Sequence, residues 1–293
     1  MDYLLHIVIV SAIYAIFALS LNLELGYTGL YNFGHVAFFG IGAYTSALLS
    51  LAGWPVPVSV LSALVAAGAA GGLLAVPALR LSGDYFGIAT LAFGEMARLV
   101  FLNERWLTKG PMGLPGIPRP DWMPAGVAGL PVILAIYIGI TLMVCLLLQR
   151  IATSPFGRAL KVVREDEHVA RAFGKNVLWL KVRAVIIGST LAGLAGALWA
   201  HYITYISPVD FTLTETIMVL LCVVLGGRGT VWGPVIGAVV IVFFGEAIRF
   251  LPIPDQLAPY VGPLQGAVYG LILVILMLKR PQGIIAEYRE RPC

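Results

Sequence analysis

The sequence predicts an all-α fold: a polytopic transmembrane helical bundle of about 8–10 spans, with broken helices and a possible internal repeat. Three observations carry this. The 293 residues are 59% hydrophobic and 12% charged, whereas a soluble domain carries about 25% charged residues. The apolar residues come in long runs: 56–79 has no charged side chain, and 182–206 is interrupted only by Arg183 and His201. The basic residues are gathered into two segments. About 20 apolar residues cross a hydrocarbon core roughly 30 Å thick, and so many runs of that length argue against a large soluble enzyme with buried helices.

Spans are expected near 4–23, 30–51, 56–79, 84–103, 130–149, 184–206, 210–226, 231–251 and 262–279. The whole of 1–293 reads as a single transmembrane domain with one substantial cytoplasmic loop, about 150–183. That loop holds Arg150, Arg158, Lys161, Arg164, Arg171, Lys175, Lys181 and Arg183; the tail adds Lys279, Arg280, Arg289 and Arg291. Together they are 12 of the chain's 19 basic residues. Lys and Arg collect in cytoplasmic loops, and the four spans between the two segments keep both on one side. The N-terminus then lies outside, as does 104–129, which is rich in Pro and Gly (Pro111, Pro115, Pro118, Pro120, Pro124) and reads as an ordered, non-helical cap or docking surface. Arg105, Lys109 and Arg119 in that loop run against the charge rule. The apolar N-terminal run leads into Asn22 and Glu24 without a basic leader or a small-residue cleavage site, so no cleaved signal is expected.

Small residues recur at helical spacing in Gly68/Gly72, Ala192/Gly196 and Gly233/Gly237, a signal for close helix packing in lipid. Two Gly-rich interruptions look related: Leu25-Gly26-Tyr27-Thr28-Gly29, continuing to Gly34, and Leu225-Gly226-Gly227-Arg228-Gly229, continuing to Gly233. Transporters place broken helices at equivalent points of two repeats, beside the path. Around these breaks Asn22, Tyr27, Asn32, Phe33, His35 and Trp232 are candidate path-lining residues, because a small aliphatic solute needs apolar walls and a few donors and acceptors.

Cys145, Cys222 and Cys293 show neither metal-site nor disulfide spacing, and no metal site is expected. No P-loop, H-E-x-x-H or G-x-S-x-G occurs, so no catalytic residue is assigned and the chain is not expected to be an enzyme. Glu95 and Arg98, three apart, read as a structural pair; Glu246 and Arg249 repeat the spacing. Asp84 and Glu95 leave open a secondary transporter or channel for a small organic solute, since that class carries isolated carboxylates in its spans. The basic loop reads as a short amphipathic helix. Ser154 caps it, Pro155 fills its first turn, Leu160, Val163 and Ala170 form its apolar side with Phe156 and Phe173 flanking, and Gly174 stops it. It lies on the lipid surface or docks on a soluble partner.

The sequence resembles the branched-chain amino acid permeases of ATP-binding-cassette importers, of the LivM type, over most of its length. The resemblance is carried by Leu19-Ser20-Leu21-Asn22-Leu23 with Gly26-Tyr27-Thr28-Gly29 and Asn32-Phe33-Gly34-His35, by Leu81-Ser82-Gly83-Asp84-Tyr85-Phe86-Gly87, by Ser154-Pro155-Phe156-Gly157-Arg158, and by Leu225-Gly226-Gly227-Arg228-Gly229-Thr230. Such permeases carry an E-A-A-x-x-x-G loop that docks on an ATPase. Here Ala170 and Gly174 match the second Ala and the Gly, Val169 stands for the first Ala, and Glu167 precedes the pattern's Glu position, which is His168. The resemblance implies a coupling role for Arg164, Glu165, Asp166, Glu167, Ala170, Arg171 and Gly174. It also implies a second related permease, two P-loop ATPase subunits that hold ATP and Mg, an extracytoplasmic binding protein, and a bacterial inner (plasma) membrane. No cofactor of the chain's own and no nucleic-acid partner is expected.

Overall fold

In hydrocarbon a backbone must satisfy its own polar groups, by helical hydrogen bonds or a closed barrel, so the apolar runs should fold as helices. The computed structural model describes residues 2–79, 85–119, 129–249, 261–279 and 282–285. The helices are α1 (Asp2–Thr28), α2 (His35–Leu51), α3 (Val56–Ala78), α4 (Tyr85–Asn103), α5 (Arg105–Thr108), α6 (Leu130–Thr153), α7 (Pro155–Glu165), α8 (Glu167–Ala172), α9 (Val177–Ile203), α10 (Leu213–Gly226), α11 (Trp232–Arg249) and α12 (Val261–Lys279). Nine of them take the nine expected spans in order. Six stretches, the last being Pro208–Gly226, are long and apolar enough to cross a membrane; α2, α11 and α12 hold shorter apolar stretches among the described residues.

Helix ends depart from hydropathy in three places. The first span continues past residue 23 to Thr28, because Asn22 and Glu24 are buried and bonded within the protein rather than marking an exit to water. The second starts at His35 rather than 30. The sixth starts at Val177, so its first two turns carry Lys181 and Arg183 beyond the apolar run; the side chain of Asn176 caps it by accepting from the Trp179 N–H at 3.2 Å.

A helix that is apolar on every side belongs in an interior, and α1 is that helix. Its most apolar 18-residue window is 78% buried, against 22% for α4. Helices α6, α9, α10 and α11 surround it. A second layer forms where α2 and α3 pack on α9. There the backbones nearly touch: a Cβ on Gly196 would lie 1.9 Å from the Phe39 carbonyl oxygen, and one on Gly42 would lie 2.2 Å from the Gly193 oxygen.

At one end of the bundle the loop after α4 forms an ordered cap, as expected, though with two short helical turns. Helix α5 leads to a 3-10 turn (Gly110–Met112) and a two-residue strand, β1 (Leu114–Pro115), paired antiparallel with β2 (Tyr205–Ile206) just beyond α9. Residues 120–128 of this loop lie outside the described residues. His201 fastens the cap, with Nε2 2.8 Å from Ser46 Oγ and Nδ1 2.8 Å from the Pro118 carbonyl oxygen. At the opposite end lie α7, α8 and the segment 282–285, whose Ile284 and Ile285 N–H groups donate to the Leu225 and Gly226 carbonyls at 2.7 and 2.9 Å. The basic loop and the chain beyond α12 therefore share one end, as an even number of spans requires.

If close approach at α9 sets the packing, Gly196→Ala should lower the thermal midpoint of the detergent-purified protein by the equivalent of at least about 1–3 kcal/mol of overpacking. Gly139→Ala, where a Cβ meets nothing within 4 Å, should leave it unchanged or slightly higher. Equal midpoints for the two variants would contradict this packing.

Candidate functional site

Between α1 and α2 the chain leaves the helix inside the protein. Helix α1 ends at Thr28, but His35 stands beside Ser20, with Nε2 2.7 Å from Ser20 Oγ and its ring stacked on Phe17 at 5.4 Å. Ser20 lies eight residues before Thr28, about 12 Å along the axis at 1.5 Å per residue. Beyond Gly29, residues 30–34 thus climb back along α1 without helical hydrogen bonds, and α2 is short because it starts part-way in. Such a segment is stable at depth only if protein groups satisfy its backbone.

They do. The Gly29 and Leu30 N–H groups donate to the Leu25 and Glu24 carbonyls at 3.1 and 3.2 Å. Phe33 N–H donates to Thr90 Oγ1 of α4 at 3.1 Å, and Gly34 N–H to the Asn32 side-chain oxygen at 3.1 Å. Asn32 Nδ2 donates in turn to Glu24 Oε2 at 2.7 Å. The exposed start of α2 is capped from another helix, Val36 N–H donating to Thr216 Oγ1 of α10 at 3.3 Å. Glu24, Asn32, His35, Thr90 and Thr216 are all fully buried. Gly34 is needed for the approach to α4, since a Cβ there would fall 1.8 Å from the Thr90 oxygen.

The second break meets the first. Asn22 Nδ2 donates to the Thr230 carbonyl at 2.8 Å, and its oxygen accepts from Gly229 N–H at 3.0 Å. Arg228 Nη1 donates to Tyr31 Oη at 3.3 Å. The two breaks differ in form. The second is a tight hairpin: a Cβ on Gly226 would lie 1.9 Å from the Gly233 oxygen, and one on Gly237 would lie 1.9 Å from the Cys222 oxygen. So α11 starts level with the end of α10, whereas α2 starts far inside the end of α1.

The basic loop forms two helices instead of the single one expected. Ser154 caps α7, accepting from Gly157 N–H at 3.2 Å. Asp166 then adopts an extended backbone (φ −158°, ψ 115°), ending α7, and its carboxylate caps α8 by accepting from the His168 and Val169 N–H groups at 2.7 and 3.3 Å. Gly174 at φ +70° closes the turn after α8, in the left-handed region that Gly enters without cost. Leu160, Val163 and Ala170 are buried as the apolar pattern predicts, but Phe173 is 75% exposed and Val169 44%. Those two, four apart, form an apolar knob beside Arg171, which pairs with Glu167 at 3.1 Å. Glu167 also pairs with Lys181 of α9.

Arg164 turns the other way. Its Nη1 donates to the Gly26 carbonyl at 2.5 Å, and Nη2 lies 3.1 Å from Glu165. Lys161, one turn earlier, stands 5.3 Å above the Tyr27 ring. Both cations meet the C-terminal end of α1, where unpaired carbonyls favour positive charge, and they fasten α7 to the first break.

Of the candidate path residues, Asn32 and His35 gather in one buried cluster around Glu24, while Asn22 is buried on another face of α1 against the second break. Tyr27 lies under Lys161. Phe33 is half-buried, its ring 3.2 Å from where a Cβ on Gly87 would stand. Trp232 faces away, lining an apolar groove of about 190 Å³ with Val8, Ala12, Ala15, Ile138 and Leu142 between α1, α6 and α11. Glu95 and Arg98 form their expected pair at 2.5 Å. Asp84 lies outside the described residues, as does the side chain of Arg249. Sequence reading passed over Glu24, Thr90 and Thr216. Glu24 carried a usable signal, an ionisable residue inside an apolar run; a lone Thr in a span carries none.

A multi-pass helical bundle with a non-helical segment held among its spans, and a capped helical loop fastened to it, is an architecture suited to a membrane transport subunit. A family model described as the permease component of the branched-chain amino acid transport system matches residues 3–277. The chain belongs to that family. It is 34% identical over 309 residues to the high-affinity branched-chain amino acid transport system permease protein LivM of Escherichia coli K12, covering 96% of this chain and 69% of that one. It is 28% identical over 332 residues to the probable LivM permease of Methanocaldococcus jannaschii, covering 98% and 94%. The permease LivH of Salmonella typhimurium is 24% identical over 298 residues, covering 96% and 93%. No solved structure matches the chain.

Asn22→Leu keeps the side-chain size and removes both bonds to the second break. It should destabilise the purified protein by about 1–3 kcal/mol for each buried group left unpaired, read as a lower thermal midpoint. An unchanged midpoint would mean that the two breaks do not support each other.

Proposed function

We propose that this chain is the membrane-spanning permease subunit of an ATP-driven importer that moves branched-chain or similar small amino acids across the bacterial inner membrane. It pairs with a second, related permease. Two P-loop ATPase subunits dock on the permease pair from the cytoplasm, one of them on α8, and an extracytoplasmic binding protein delivers substrate to the opposite end.

One observation carries the reading. The knob made by Val169 and Phe173 projects from a helix capped at Asp166 and stopped at Gly174, while the same loop grips the end of α1 through Arg164. A helix exposing apolar side chains outward and fixed inward suits a part that takes up motion from a soluble partner and passes it to the bundle. Exposed apolar groups rimmed by polar ones mark interaction surfaces. The basic residues around α7 and α8 support a cytoplasmic location. Relatives that align along nearly the whole chain are named for branched-chain amino acid transport, which supports the substrate class. Closure of the ATPase pair on ATP would pull on α8, and α7 would carry that displacement to the α1 end and residues 29–34. ATP and its Mg stay with the ATPase subunits.

Single cysteines at Phe173 and Met112, in a background without native cysteines, should react with impermeant reagents from opposite sides of the membrane. Phe173→Asp should strip the ATPase from the complex while the chain still inserts. Gly174→Val should impair substrate-stimulated ATP hydrolysis, because a β-branched residue at positive φ is strained. Labelling of both cysteines from outside, or full ATPase binding by Phe173→Asp, would overturn the reading.

A further inference from the structure

The hydrogen-bond directions around Glu24 can be assigned one proton at a time. Ser20 Oγ lies 2.6 Å from the Phe17 carbonyl oxygen. A carbonyl only accepts, so the single hydroxyl proton of Ser20 is committed there. His35 Nε2, 2.7 Å from the same Oγ, must therefore be the donor, which leaves Nδ1 of a neutral imidazole with a bare lone pair. On the other side, Asn32 Oδ1 accepts from Gly34 N–H and its Nδ2 donates to Glu24 Oε2, so that carboxylate oxygen is an acceptor. What remains is Glu24 Oε1 facing His35 Nδ1 at 3.5 Å. Both are fully buried and neither has another hydrogen-bond partner. Without a further proton the two would present lone pairs to each other.

We propose that Glu24 and His35 hold one proton between them, carried on Glu24 as a neutral carboxylic acid that donates to His35 Nδ1, and that this proton closes the clamp on residues 29–34. With it, one directed chain runs without a break: Gly34 N–H to Asn32, Asn32 to Glu24, Glu24 to His35, His35 to Ser20, Ser20 to the Phe17 carbonyl. Both ends of the non-helical segment are then tied to α1. The contact needs only a small rotation about the terminal torsion of Glu24, which is soft. No cation competes for the carboxyl: among the described residues Glu24 has His35 as its only charge partner. From α9 Gly188 faces it, where a Cβ would fall 2.5 Å from Oε1; α4 and α10 bring Thr90 and Thr216 to the same segment. With the proton on His35 Nδ1 instead, the pair would be an imidazolium and a carboxylate, two charges buried together at the cost of their hydration, whereas the neutral acid beside a neutral imidazole satisfies every atom without burying a charge. The inference rests on the hydrogen-bond geometry alone and holds whatever solute the chain carries.

The test uses the full-length chain in its assembled complex at neutral pH. Glu24→Gln offers an amide N–H where the acid offers O–H and keeps an oxygen for Asn32, so it should retain the parent's thermal midpoint. Glu24→Leu, which breaks the chain on both sides, should lower it. The infrared difference between parent and Glu24→Gln should contain the carbonyl stretch of a protonated carboxylic acid, shifted in deuterium oxide. Ionised-carboxylate bands in that difference, or a midpoint for Glu24→Gln as low as that for Glu24→Leu, would overturn the proposal.

Discussion

Inside a bilayer, a peptide group that leaves the helix has no water to turn to, and residues 29–34 are held under that constraint. The buried side chains of Asn32, Thr90 and Thr216 answer to it. Asn32 turns back to Gly34, Thr90 reaches from α4 to Phe33, and Thr216 caps α2 from α10. Because the donors and acceptors come from four different helices, the segment fixes how those helices sit. The shortness of α2, the burial of α1 and the close approach of α4 at Gly34 follow from where this stretch of backbone must find its partners.

The same constraint acts at the end of α1. The C-terminal carbonyls of α1 also need partners, and Gly26 finds one in Arg164. That bond makes α7 an extension of the break rather than a loop resting on lipid. Asn22 adds the turn between α10 and α11 through two bonds, and Ile284 and Ile285 cover the last carbonyls of α10. The result at this end is one hydrogen-bonded block that includes both breaks and the basic loop, with the Val169–Phe173 knob on its outer surface. At the far end the β1–β2 cap and His201 hold α2 and α9 to the loop after α4.

The spans were legible because hydropathy over about 20 residues is a one-dimensional signal, and the local caps at Ser154 and Gly174 are set by near neighbours. The split at Asp166 was written in the sequence too, as an Asp just before a short helical run, but an unbroken amphipathic pattern from Leu160 to Ala170 outweighed it. The pairing of Asn22 with Thr230 was not legible, since it joins residues 208 apart and nothing local announces it. Glu24 was read as the point where the apolar run ends. Its carboxyl is instead fully buried, because Asn32 and His35 return to it eight and eleven residues later. The path candidates near the glycines take separate places: Asn32 and His35 build the clamp, Asn22 joins the two breaks, and Trp232 lines a groove between α1, α6 and α11.

Joined through Arg164 and Gly26, the basic loop and the break at 29–34 move as one body. Spin labels at Phe173 and Tyr31 in the assembled transporter measure it directly, with Met112 in the distant cap as the reference site. ATP binding should leave the Phe173–Tyr31 distance unchanged while both labels shift relative to Met112. A change in the Phe173–Tyr31 distance with Tyr31 fixed relative to Met112 would show that the loop moves on its own, and would contradict the account.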